Sequence, residues 1–223
     1  MSSKPILFYT PGSPPCCSVM LTAAALSIEL ELKSLSTKNG DHLTEEFIKM
    51  NPTHTVPVLD DGGIIISDSH VICCYLVDKY GVNDSLYPKD KMKRMQVDAR
   101  LYFDCGHLFP RLRFIVEPVI YMGKDSIPDE RIAYMQKAYD GLEKALANGN
   151  YLCGDQMTIA DLCCVTSVSS IMPLAPIEED KYPKVKAWVQ RLAELPYYKT
   201  NNQDQADILY QLVLTNLEAN KKA

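Results

Sequence analysis

Ile6-Leu7-Phe8-Tyr9-Thr10-Pro11-Gly12-Ser13-Pro14-Pro15-Cys16 is the stretch that decides the fold. Four apolar residues read as a buried strand, the Pro/Gly/Ser run turns the chain, and Val19, Met20, Ala23 and Leu26 then repeat at helical spacing. A strand feeding directly into a helix is the first unit of an α/β layer.

Working outward, a second strand is expected at about residues 29–34 and a short helix at 44–50. A third strand, residues 55–59, begins at the Val56-Pro57 step. Asp60-Asp61-Gly62-Gly63 is a tight turn, so Ile64-Ile65-Ile66 should return antiparallel. Ser69 is expected to cap a helix running to Tyr80, with Val71, Ile72, Tyr75 and Leu76 facing inward. The order is β-α-β-α-β-β-α.

Residues 81–88 are polar and turn-rich, and beyond Lys89 every pattern is helical. Residues 91–122 should kink or break at Pro110 and Pro118. Ile132, Met135, Tyr139, Leu142 and Leu146 form one apolar stripe; Val185, Trp188, Val189 and Leu192 form another; Ile208, Leu209, Leu212, Val213 and Leu217 form the last. Residues 158–172 are apolar or small throughout and read as a helix buried on all sides. Thr158-Ile159-Ala160-Asp161 starts that helix as a capping box. The chain thus divides into an α/β domain, residues 1–82, and an all-helical domain, residues 90–223.

Composition agrees with a globular chain of one large or two small domains: 223 residues, 47% hydrophobic and 23% charged. Lys and Arg number 23 against 28 Asp and Glu, a net charge of −5 without basic clustering, which speaks against nucleic acid or a membrane surface as partner. Met1 to Tyr9 is too short in apolar residues for a signal-peptide core, and no apolar run is long enough to span a membrane. Six of the eight cysteines are adjacent pairs, Cys16-Cys17, Cys73-Cys74 and Cys163-Cys164. Neighbours bridge only with strain, so reduced, mostly buried thiols in a reducing compartment, the cytoplasm, are expected. Neither cysteines nor histidines show zinc spacing, so no metal is expected.

Three local features carry chemistry. Ser13-Pro14-Pro15-Cys16 sits between the first strand and helix, where a thioredoxin-like domain keeps its Cys-x-x-Cys pair, but serine stands in the first place. Free amides at that helix start favour a thiolate brought by a ligand, or Ser13 merely caps the helix. In thioredoxin-like domains a cis proline opposite this helix exposes the preceding backbone to an extended peptide, the place of Val56-Pro57 here. Asp68-Ser69-His70 opens the next helix, where Ser69 and free amides suit a carboxylate and Asp68 an ammonium group.

With Gly40-Asp41-His42-Leu43, Asn51-Pro52-Thr53-His54-Thr55-Val56-Pro57-Val58-Leu59, Tyr75-Leu76-Val77-Asp78-Lys79-Tyr80, Asp84-Ser85-Leu86-Tyr87-Pro88 and the capping box, these segments make the chain resemble a cytosolic glutathione transferase. The insect epsilon class is nearest and the delta class next. The resemblance covers nearly the whole chain. It implies a thioredoxin-like domain followed by an all-helical domain, a homodimer, glutathione as co-substrate, and detoxification of small hydrophobic electrophiles. Some epsilon-class members also dehydrochlorinate DDT.

By position, the resemblance makes Ser13 the catalytic residue, its hydroxyl donating to the glutathione sulfur. Lowering a thiol pKa of ~8.5 by about two units corresponds to ~2.7 kcal/mol. Thr55, Val56, Pro57, Asp68, Ser69 and His70 are implied to bind glutathione, with His42 and His54 near its glycyl carboxylate and Arg113 at the mouth. Phe109, Phe114, Glu117, Ile120 and Tyr121 are implied to line the electrophile pocket, closed by Leu209 and Tyr210, although as sequence they read equally well as helix core. Cys17 stands where the family commonly has arginine. Two other readings remain: a glutathione-dependent thiol-disulfide oxidoreductase using Cys16 or Cys17, and a non-catalytic binder of hydrophobic ligands. The absence of Gly-x-Ser-x-Gly and the adjacency of Asp68, Ser69 and His70 speak against a hydrolase.

Overall fold

The computed structural model describes residues 4–222, leaving the first three residues of the stretch read for a leader outside it. Strands β1 (Ile6–Tyr9), β2 (Glu31–Ser34), β3 (Val58–Asp61) and β4 (Ile64–Ser67) form one sheet in the order β2-β1-β3-β4. The β1-β2 pair is parallel, with Leu7 opposite Leu32; β3 runs antiparallel to both its neighbours, with Leu59 between Leu7 and Ile66. Helix α1 (Pro14–Ala25) supplies the crossover, and α2 (Glu45–Met50) and α3 (Ser69–Tyr80) complete a thioredoxin-like domain. The third strand starts at Val58, later than expected, since Pro57 has no N–H for the ladder; the Val56-Pro57 bond is cis.

Two details of α3 correct the sequence reading. Its cap is Asp68, not Ser69: Asp68 stands at φ 73° and its carboxylate accepts the amides of His70 at 2.9 Å and Val71 at 3.2 Å. Ser69 becomes the first helical residue. With the helix so phased, Ile72, Cys73, Leu76 and Val77 are buried, while Val71 is 53% exposed.

Helices α4 (Lys91–Phe103), α5 (Phe109–Tyr121), α6 (Asp129–Ala145), α7 (Ile159–Ile171), α8 (Pro183–Ala193) and α9 (Asp204–Asn220) build the second domain. The irregularity in residues 91–122 is a π turn, Asp104–Leu108, which runs without a gap into α5 and puts Pro110 at its second residue. Pro118 does not break α5. Its ring leaves the Phe114 carbonyl without an amide, and Arg131 Nη1 donates to that oxygen at 2.8 Å.

Helix α7 is buried along its whole length and joins two cores. On one side Leu162, Val165 and Val168 pack with Tyr139, Leu142 and Trp188. On the other, Ile159, Ala160 and Cys163 complete the core of the first domain with Val19, Ile72 and Leu76. Ser18 and Thr166 hydroxyls meet at 2.9 Å across that junction. The stripe on α9 is only partly internal: Leu209 and Val213 are buried, but Ile208 and Leu212 are 43% and 44% exposed. Among the described residues no helix is long and apolar enough to cross a membrane.

Candidate active site

The turn from β1 to α1 is held against the last helix. Gly12 has φ +77°, and a Cβ there would stand 3.1 Å from Ile208 Cγ2 and 3.2 Å from the Leu209 nitrogen. Its N–H donates to Gln205 Oε1 at 2.9 Å. Only glycine permits both the dihedral and the approach. The next residue, Ser13, is thereby fixed at the junction of the two domains.

Ser13 occupies the cap position of α1, yet its side chain makes no capping hydrogen bond. The following residues explain why. Pro14 and Pro15 have no N–H to offer, and the amides of Cys16 and Cys17 both donate to the Ser13 carbonyl, at 3.0 and 3.1 Å. The expectation of free helix amides here is therefore corrected, and the hydroxyl is the donor this turn leaves over. Beneath it, Cys16 is fully buried; burial pushes its thiol up to about 11, with hydrogen bonds to Ser13 and Thr10 pulling the other way. Cys17 is also buried, in the core of the first domain, and its thiol is raised by burial and by Cys16.

Two adjoining cavities flank this turn. One, of about 180 Å³, is walled by Ser13, Val56, one face of α5 and the exposed edge of α9. Phe109, Arg113, Glu117, Ile120, Tyr121 and Leu209 line it, as do Leu112, Val116 and Leu212, whose apolar character signalled only core. Phe114 and Tyr210 do not. Each helical step turns by ~100°, which carries Phe114 away from the cavity. Its ring lies under the Arg131 guanidinium at 4.3 Å and edge-on to Tyr134. Arg113 is paired with Glu117 one turn along the same helix.

The second cavity, of about 200 Å³, shares Val56 and Phe109 with the first and sets polar side chains beside Pro15 and Pro57; it is the more polar of the two. Thr55, Pro57, Asp68, Ser69 and His70 line it, joined by Asp104 and Cys105 from the π turn and by Thr166 and Ser167 from α7. Hydrogen bonding to His70 holds the Asp68 carboxyl below its ordinary range against the effect of burial. For His70, burial opposes charge, but Asp104, Asp68 and Cys105 outweigh it and push the pKa up to about 12. His42 and His54 lie together outside both cavities, ring centroids 6.1 Å apart, with His42 Nδ1 buried and unpartnered. Nothing in the sequence points to Asp104 or Cys105, since neither belongs to a local motif and both reach the cavity through the π turn.

Residues 7–84 match the glutathione S-transferase N-terminal domain and residues 110–196 the C-terminal domain. Glutathione S-transferase 1 of Manduca sexta is 44% identical over 95% of this chain and 98% of its own. An epsilon-class glutathione S-transferase from the housefly, Musca domestica, superposes with TM-score 0.93 at 42% identity, covering 96% of this chain and 98% of that one. A glutathione transferase homologue from Drosophila mojavensis, solved with bound glutathione, gives TM-score 0.92 at 43% identity over 97% and 98%. With likeness of this extent at both levels, the chain belongs to the glutathione S-transferase family and is a transferase of that kind.

Proposed function

We propose that the polar cavity holds the γ-glutamyl end of glutathione, the apolar cavity holds the electrophile, and Ser13 activates the thiol between them. The observation that carries this reading is the Ser13 hydroxyl, which makes no capping bond to its helix and stands in the wall of the apolar cavity with Val56, a residue both cavities share. Asp68 pairs with the glutathione ammonium group and Ser69 with the neighbouring carboxylate. Thr55, Val56 and Pro57 lie along the cysteinyl part, the Val56 backbone forming a short added strand with it. His42 and His54 face the glycyl carboxylate.

The Ser13 hydroxyl donates a hydrogen bond to the sulfur, which favours the thiolate. The thiolate attacks the electrophilic carbon, a carbon–sulfur bond forms, and the leaving group departs with its electron pair. Phe109, Ile120, Tyr121 and Leu209 keep water from the reacting atoms, while the Arg113–Glu117 pair sits at the rim. The small apolar cavity suits compact hydrophobic electrophiles, as in detoxification.

The motifs and the likeness to the housefly enzyme support membership of the insect epsilon class. All eight cysteines are free thiols, which supports a cytoplasmic enzyme. Val71 on α3 and Met92, Met95 and Tyr102 on α4 are exposed apolar side chains, which supports a homodimer. The deciding experiment is conjugation of glutathione to a chlorodinitrobenzene-type substrate by wild type and Ser13→Ala, across pH. The variant should lose ~25-fold in rate near pH 7, where the thiolate fraction falls, and its apparent thiol pKa should rise by about two pH units. An unchanged rate and profile would remove Ser13 from the mechanism.

A further inference from the structure

The turn that presents Ser13 has few backbone tethers of its own. Pro11, Pro14 and Pro15 carry no N–H, so between residues 11 and 15 only Gly12 and Ser13 can donate. The Ser13 N–H reaches the Thr10 carbonyl at 3.3 Å, a long bond inside the turn. The Gly12 N–H leaves the turn altogether and donates to Gln205 Oε1 at 2.9 Å, across 193 positions of sequence. Because its partner is an N–H, the Gln205 amide must present its oxygen there.

Gln205 is itself held from behind. It lies in the first turn of α9, directly after the π turn Lys199–Gln203. Asn202 in that π turn is fully buried, and its Nδ2 donates to Ser169 Oγ on α7 at 2.9 Å. A path of covalent and hydrogen bonds thus runs from α7, the helix that joins both cores, through Asn202 and Gln205 to the turn of Ser13. Leu209 and Leu212 of α9 line the apolar cavity, whereas Gln205 lines neither cavity. One helix therefore shapes the wall offered to the electrophile and holds the catalytic turn.

We propose that Gln205 is a positioning residue for thiol activation: its side-chain oxygen holds the Gly12 amide and so sets the Ser13 hydroxyl against the glutathione sulfur. It acts through Ser13, and the proposal rests on the role given to Ser13 above. Without the acceptor, the Gly12 N–H must find another partner, and the turn shifts to reach one. A hydrogen bond weakens steeply as its donor moves out of line. Loss of the tether therefore raises the thiol pKa while Asp68 and Ser69 go on holding the γ-glutamyl end.

The test is a double-mutant cycle of Gln205→Met and Ser13→Ala in the full-length protein. It is read by the ultraviolet difference absorbance of the bound thiolate and by conjugation of a chlorodinitrobenzene-type substrate across pH. Methionine keeps the length and helix preference of glutamine but offers no amide oxygen. Gln205→Met should raise the bound thiol pKa by about one pH unit, which lowers the rate ~3-fold at pH 7 and restores it to the wild-type value above about pH 9. Its affinity for S-methylglutathione, which has no thiol to ionise, should stay within about twofold of wild type. In the Ser13→Ala background the same substitution should move the thiol pKa by less than about 0.3 pH units. An unchanged thiol pKa in Gln205→Met, or an equal rise in the Ser13→Ala background, overturns the proposal. So does a loss of rate that is equal at every pH, because the tether then serves something other than ionisation. If Ser13→Ala alone leaves the thiol pKa unchanged, the reading of Ser13 falls together with the proposal; if only Gln205→Met does so, that reading stands.

Discussion

Trp188 Nε1 donates to Asp161 Oδ1 at 2.9 Å, so the carboxylate that starts α7 is also the buried anchor of α8. The same side chain accepts the amides of Leu152 at 2.8 Å and Thr158 at 2.9 Å and is wholly buried. Burial pushes its carboxyl up, while these bonds pull it down. Asp161→Ala would strand three buried donors at the helix that joins both cores. Urea denaturation should show a loss of ~3–5 kcal/mol, and Asp161→Asn should lose less. A loss below ~1 kcal/mol would mean that water replaces the carboxylate.

Arg131 and Pro118 should be energetically coupled. Pro118 frees the Phe114 carbonyl and Arg131 supplies the missing donor. In wild type, Arg131→Met should cost ~1 kcal/mol. In a Pro118→Ala background, where an amide again reaches that carbonyl, the same substitution should cost less, with a coupling energy of ~0.5–1 kcal/mol. The double-mutant cycle would show additivity if Arg131 acted only by stacking on Phe114.

Cys16 should be dispensable for conjugation. It is fully buried and its thiol is pushed up to about 11, so little thiolate exists near neutral pH. Cys16→Ser should keep wild-type transferase kinetics within about twofold and show no change in any disulfide-reducing activity. A collapse of disulfide reduction in Cys16→Ser, with conjugation already negligible in wild type, would favour the oxidoreductase reading instead.

Local chemistry was legible in the sequence, and tertiary chemistry was not. Thr158 and Asp161 declare a helix start because their bonds close within three residues, but Trp188, 27 residues on, is joined to Asp161 only by packing. Ser13 and Val56 could be placed because strand–turn–helix order fixes them near each other. On α5, Phe109 and Phe114 are equally apolar, and only the phase of the helix separates the cavity wall from the outer face. The cap of α3 was misread by one residue because Asp68 adopts positive φ, which serine and aspartate in sequence do not announce. Cys105 reaches the cavity wall through the π turn, an extra residue per turn that no periodicity in residues 91–122 marks.

His70 should remain charged through the neutral range. Burial disfavours its charge, but the Asp104, Asp68 and Cys105 contacts raise its pKa to about 12. The side chain is 13% exposed, so solvent screens these contacts little. In an unfolded chain a histidine titrates near ~6.5. Between those values the folded protein holds one proton more than the unfolded one. The stabilisation is therefore full below about pH 6.5 and declines as pH rises toward the folded pKa, by at most ~1.4 kcal/mol per pH unit. Urea denaturation at about pH 6 and pH 9 should show a larger decline for wild type than for His70→Asn. The imidazole resonances of His70 should show no titration over that range, and a midpoint near 6.5 would mean that Asp104 does not hold the proton on the ring.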